Sequence, residues 1–368
     1  MKKRLISCLI AFCILCSLCS SVYAVDSSND SLESDLSVQI EQIISQFYFD
    51  QPGQYAVGGA ITIFNADTES VYYIIPVFCN QECVGVVELD VAGNITLTDG
   101  IVLYTEISEF SSSSYLLYTY GGVVYAESQA EVIELYDSGF DIPVNNDFAL
   151  LSYTEKVALA ETCSQTAASS LNISAIIEET ELSSIIASDV SPLALVPTLE
   201  AEECAITNFV TQNGYNICWS ACIATIANYM YGFCLTAEGI ARAAGHDYTD
   251  ENYTGAYLNE IEYAFSLYGL TYTTSSGKLG WEDVKENVVE DRPFAVRIHS
   301  GTLESGHMLT CYGYSCQYGD SESSSSSRYI KVWDPNGYKL TFAYNSSSFN
   351  LYGYSWTWTH TLTGTRTS

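Results

Sequence analysis

Past Cys204 the periodicity of the chain divides in two. Helix-like patterns come first, at Trp219 to Met230, Thr236 to Ala244, Gly255 to Tyr268 and Trp281 to Val289, interrupted by strand-like runs at Leu270 to Thr274 and Pro293 to His299. Strands then dominate, at Gly306 to Tyr314, Tyr329 to Trp333, Lys339 to Tyr344 and Gly353 to Leu362. Helices first and strands last predict an α+β domain over 201–368, one half helical and the other an antiparallel sheet. The serine tract Asp320 to Ser327 reads as a surface loop between two of those strands.

Upstream the pattern differs. Leu32, Leu36, Ile40, Ile43, Ile44 and Phe47 recur at helical spacing from Asp30 to Phe49, and Pro52-Gly53 ends that helix. Strand-like runs follow at Ala60 to Phe64, Ser70 to Phe78 and Cys83 to Val91, and "YLLYTYGGVVYAE" reads as a hairpin turning at Gly121-Gly122. Helices are expected near Gln129 to Tyr136 and Tyr153 to Cys163. Residues 25–165 thus read as a small α+β unit. Cys79 and Cys83 flank one turn and read as a local disulfide. Residues 166–200, rich in Ser, Ala, Thr and Glu and broken by Pro192 and Pro197, read as a linker with a short helix around Ser174 to Ala187, open to proteolytic nicking.

Lys2, Lys3 and Arg4, the apolar run Leu5 to Cys19 and the small-residue site at Ala24 describe a signal peptide over 1–24, so the chain is expected to be secreted, with cleavage near Ala24. No later run is apolar and long enough to serve as a transmembrane anchor. A formal net charge of −31 argues against nucleic acid and anionic membranes as partners, while 48% hydrophobic residues argue against disorder. Nine of the 13 cysteines follow the signal. An odd number in an exported chain leaves at least one thiol unpaired within it.

The stretch "TQNGYNICWSACIATIANYM" supplies a candidate for that thiol. Cys218 follows the loop Asn213-Gly214-Tyr215-Asn216 and opens a run free of Pro and Gly, so it falls at a helix N-terminus, where unsatisfied N–H groups and the helix dipole favour a thiolate. Cys222, one turn on, gains little from that field and is expected to be buried or disulfide-bonded. Three residues between the cysteines do not fit a Cys-x-x-Cys redox site, and Cys311 with Cys316 completes no common zinc module. A nucleophile needs a base, and His307 opens a strand in "SGHMLTCYGY", with His299 the main competitor and His246 and His360 in less suitable places. Asp334 ends a strand in "YIKVWDPNG", because Pro335 cannot continue the ladder, and a carboxylate there can hold the imidazole in its useful tautomer; Asn336 is the weaker alternative. Gln212, six residues before Cys218, could place its amide beside the thiolate as an oxyanion-hole donor, together with the Cys218 N–H.

"Q-N-G-Y-N-I-C-W" resembles the papain-like cysteine peptidases, in which a glutamine stands six residues before the nucleophile. "GHMLTCYGY" and "VWDPNG" are similar to the His and Asp blocks of the bacterial branch of that clan, which includes staphopain-like and double-glycine-leader peptidase-like enzymes. The resemblance covers Cys204 to about Gly364. It implies a papain-like cysteine peptidase domain with Cys218 as nucleophile, His307 as base, Asp334 as orienting group and Gln212 in the oxyanion hole, acting on protein or peptide substrates without metal or cofactor. The Gly-Ser-Cys element of plant and animal members is replaced by Tyr-Asn-Ile before Cys218, their asparagine by Asp334, and the serine tract widens the gap from His307 to Asp334.

The 25–165 unit is then expected to be propeptide-like, an intramolecular inhibitor of a zymogen. Three rivals stand beside this reading: a transglutaminase-type acyl transferase, a cell-wall peptide hydrolase, and an inactive binding protein on the same fold. The Gln212 spacing and the 89 residues from Cys218 to His307 favour the peptidase over the transglutaminase.

Overall fold

A computed structural model of the chain describes residues 29–48, 51, 53–111, 114–138, 146–180, 198–250, 253–302, 305–318 and 327–366. The expected signal peptide, the proline-containing part of the linker and most of the serine tract lie outside these residues. Helices and one large sheet give a mixed architecture, consistent with an α+β fold.

The helix Asn29–Phe47 buries Leu36, Ile40, Ile43 and Ile44, the apolar stripe visible in its sequence, against the sheet residues Val87, Leu89 and Leu97. The hairpin Leu116–Tyr120 with Val123–Glu127 turns at Gly121 and Gly122, both at positive φ, as a tight hairpin turn requires. Tyr153–Ala168 is a helix opened by a capping box, Ser152 with Glu155, and Ile173–Glu179 forms the short helix of the linker tract.

Two expectations are corrected. The segment Gln129 to Tyr136, expected to be helical, instead contains the strand Val132–Asp137, paired antiparallel with Val123–Glu127. Ser128 makes the turn, its Oγ accepting from the N–H groups of Ala130 and Glu131, and pairing with an adjacent strand outweighs the helical spacing. Cys79 and Cys83 do not form a disulfide. The turn at Asn80-Gln81 sets Cys79 opposite Glu82 and Phe78 opposite Cys83. Since successive strand residues alternate faces, the two sulfurs leave the hairpin on opposite sides.

Sixteen strands of the described residues join in one sheet. The upstream and downstream parts meet where Tyr338–Ala343 pairs antiparallel with Ile95–Thr98, with Leu340 opposite Thr98, Thr341 opposite Leu97 and Phe342 opposite Thr96. One buried apolar cluster that spans the junction contains Tyr72, Ile74, Val86 and Tyr136 together with Phe349, Leu351, Tyr352, Tyr354 and Trp356. The strand Thr198–Glu203 pairs with Gly313 to Tyr318, and two of its three glutamates meet cations: Lys285 contacts Glu200, and buried Lys331 contacts Glu203.

Candidate active site

The helix Cys218–Tyr231 is buried along nearly its whole length, and its Ala-rich sequence allows close approach to Ala295, Met308 and Leu362 of the sheet. It stops at Gly232, which adopts the left-handed conformation that ends many helices. Its first residue is Cys218, half-buried. Ile217 at the cap position supplies no side-chain hydrogen bond, so the first-turn N–H groups have no side-chain acceptor and face the region of the thiol. The start of the helix is fixed from the side: Trp219 Nε1 donates to Tyr253 Oη at 3.1 Å, and Asn216 Nδ2 donates to the Tyr253 carbonyl at 3.1 Å.

His307 and Asp334 come from neighbouring antiparallel strands, Ser305–Tyr318 and Ser327–Asp334. Their register sets Thr310 opposite Trp333, so the beginning of one strand and the end of the other reach the same edge of the sheet. There His307 Nε2 lies 2.8 Å from Asp334 Oδ1. The Cys218 side chain is also hydrogen-bonded to His307. The structure therefore brings three of the expected residues into one chain of contacts, thiol to imidazole to carboxylate.

Asp334 is fully buried, a costly place for a carboxylate unless donors surround it. Besides His307 it accepts the Asn336 N–H at 2.8 Å and the Tyr352 hydroxyl at 3.4 Å. Asn336 thus contributes its backbone rather than its side chain. For His307, burial is the largest influence and pulls the pKa down; the charges of Asp334 and Cys218 and hydrogen bonds to both outweigh it together, raising the pKa to about 10.

Gln212 is buried, and its N–H donates to the Pro335 carbonyl at 2.9 Å, which ties it to the residue following Asp334. Its side-chain Oε1 is buried with no hydrogen-bond partner. The turn after it uses Asn213 and Gly214, both at positive φ, to bring the chain back to Cys218. Cys222 is fully buried, its Sγ 3.4 Å from the Met308 carbonyl, and burial pushes its thiol well above the usual range.

The competing histidines go elsewhere. His299 is opposite Gly306 while Ile298 is opposite His307, so His299 leaves its strand on the other face. His246 packs edge-on against Trp219, and His360 lies opposite Arg297, whose charge adds to burial in lowering its pKa. Among the described residues no three His, Cys, Asp or Glu side chains are placed to share a metal ion. Sequence reasoning missed Tyr352, Tyr253 and Trp356, the last with its ring 6.4 Å from that of His307. "LYGYSW" is conspicuously aromatic, yet nothing in it indicates a partner 18 residues upstream.

Residues 206–363 match the model of the Peptidase_C39 like family. The matched segment includes Gln212, Cys218, His307 and Asp334, and the match supports a cysteine peptidase-like family for this part of the chain. No curated protein matches the chain.

Proposed function

We propose that the chain is a secreted cysteine endopeptidase using Cys218 as nucleophile, His307 as general base and acid, Asp334 as orienting group and Gln212 in the oxyanion hole. The observation that carries this is the single imidazole of His307 held between the Cys218 thiol and the Asp334 carboxylate.

Such an enzyme works as follows. His307 takes the thiol proton, and the Cys218 thiolate attacks the scissile carbonyl carbon. The carbonyl oxygen becomes an oxyanion, accepting from the Cys218 N–H at the uncapped helix tip and from the Gln212 side-chain amide. Gln212 Oε1 is buried without a hydrogen-bond partner, and the same amide carries the Nε2 donor that this reading assigns to the oxyanion. The C–N bond breaks as His307 protonates the leaving amine, which leaves a thioester on Cys218. His307 then removes a proton from water, the resulting hydroxide attacks the acyl carbon, and Cys218 departs as thiolate. Asp334 fixes the ring through Nε2, leaving the other ring nitrogen for the proton transfers with Cys218.

The test is hydrolysis of a generic protein substrate with and without an epoxide thiol inhibitor. Wild type is expected to cleave it, to be silenced by the epoxide and to carry the adduct on Cys218 by peptide mass mapping; Cys218→Ala is expected to be inactive. Cleavage by Cys218→Ala, or an adduct on a different cysteine, rejects the assignment.

A further inference from the structure

The hairpin turn Leu351-Tyr352-Gly353-Tyr354 belongs to the downstream part of the chain but is seated in the upstream unit. Tyr352 holds a left-handed conformation, φ 55°, which is unfavourable for a residue with a side chain. What stabilises it is upstream. The Glu88 carboxyl accepts the N–H groups of both Tyr352 and Gly353, and Asn350 Nδ2 donates to Glu88 Oε2 at 3.2 Å. Asn65 Nδ2 donates to the Gly353 carbonyl at 2.7 Å. Gly353 packs so closely on Tyr72 that a Cβ there would fall 2.4 Å from the ring.

From this seat the Tyr352 side chain reaches the site. Its hydroxyl donates to Asp334 Oδ2, the oxygen not used by His307, and is also hydrogen-bonded to Tyr136 of the upstream unit. The Tyr136 and Tyr352 rings are stacked at 6.0 Å, and Tyr136 is hydrogen-bonded to Tyr338 as well. Glu88 is 1% exposed, and burial raises its pKa to about 8 against the lowering effect of the two N–H groups, with Asp334 adding to the rise. Near neutral pH it is therefore mainly an uncharged acid, which avoids a second carboxylate charge behind Asp334.

We infer that the upstream unit is a working part of the catalytic apparatus, in which Glu88 and Tyr136 hold Tyr352 so that Tyr352 fixes the Asp334 carboxylate. This rests on the peptidase reading above and gives the upstream unit a supporting role in place of an inhibitory one. Glu88, Tyr136 and Tyr352 are positioning residues, acting on the reaction through Asp334.

The test uses the full chain, with Tyr352→Phe, Tyr136→Phe, Glu88→Ala, Glu88→Gln and, as a control outside the network, Tyr125→Phe. Three quantities are read: kcat and KM on a peptide substrate, the rate of Cys218 alkylation by iodoacetamide at pH 7 followed by mass mapping, and thermal unfolding. Tyr352→Phe is expected to lower kcat about tenfold, the scale of one hydrogen bond to a charged group, with KM within about twofold and unfolding little changed. Cys218 alkylation should slow about fivefold. Tyr136→Phe should show a smaller loss of the same kind, and Glu88→Gln should recover most of what Glu88→Ala loses, because its amide oxygen still accepts an N–H. Unchanged kcat and alkylation in both tyrosine variants overturns the inference, as does a rise in activity in Glu88→Ala, which would make the unit an inhibitor. If Glu88→Ala fails to fold, the tyrosine variants still decide. If wild type cleaves no peptide, the peptidase reading fails on its own, and alkylation still reports whether Tyr352 governs the Cys218 environment.

Discussion

Cys218 is half-buried and begins a helix with no side-chain cap, whereas Asp334 ends a strand, is fully buried and accepts from His307, Asn336 and Tyr352. The Cys218 end of the site is partly exposed. The other is closed, and its donors are supplied before any substrate arrives. A thiolate must be reachable to react, while a carboxylate that only orients and balances charge acts most strongly where water is excluded. The local sequence follows the same division: the surroundings of Cys218 come from residues 212–218 and 253, and those of the Asp334 carboxylate extend to Tyr136 and Glu88.

That comparison can be broken at the open end first. If Gln212 acts as proposed, Gln212→Ala removes a donor needed only when the oxyanion forms, so kcat should fall roughly 100-fold with KM little changed, measured by steady-state hydrolysis. An equal loss appearing in KM alone would place Gln212 in ground-state binding.

Asp334→Asn tests the closed end, with an expected fall in kcat of about tenfold or more. It also has a signature in pH. His307 has a raised pKa, so its imidazolium contribution is fully present below about 6.5, the ordinary value, and is lost as pH rises through about 10. Wild type should keep its ion pair through neutrality and lose activity on an alkaline limb near that value. Removing the Asp334 charge removes the largest raising influence, so the limb should move to lower pH in the variant. A profile identical to wild type would separate Asp334 from the imidazole.

The smallest effect on activity is expected from Cys222→Ala, one helical turn from Cys218. Hydrolysis should stay within about twofold, while unfolding free energy drops by roughly 1–2 kcal/mol for a small void beside Met308. A loss of activity comparable to Cys218→Ala would mean that the two thiols act together.

How much of this could be read from the chain depends on range. Gln212 and Cys218 are six residues apart, and the Gly-containing turn with a helix start is a local signal. His307 and Asp334 could be placed at strand ends because Gly306 and Pro335 punctuate the pattern. Segment 132–137 misled because its apolar spacing suits a helix, and only the neighbouring strand decides otherwise. Thr198–Glu203, "TLEAEE", has little strand character of its own; it pairs because Lys285 and Lys331 stand opposite its carboxylates. Tyr352 and Glu88 are 264 residues apart and carry no mutual sequence mark.

Thr198–Glu203 also bears on what cleavage of the chain would achieve. The peptide linkage between the two parts runs through residues 181–197, but Thr198–Glu203 is anchored downstream by its own ladder, and the junction at Ile95–Thr98 with Tyr338–Ala343 lies elsewhere. Cutting within 181–197 removes a tether while leaving both sets of backbone pairs intact. The tether's contribution is the effective concentration of one part near the other, which matters for finding the junction and far less for keeping it once formed. A cut chain would therefore be two polypeptides sharing one sheet, with dissociation, rather than proteolysis, as the step that separates them.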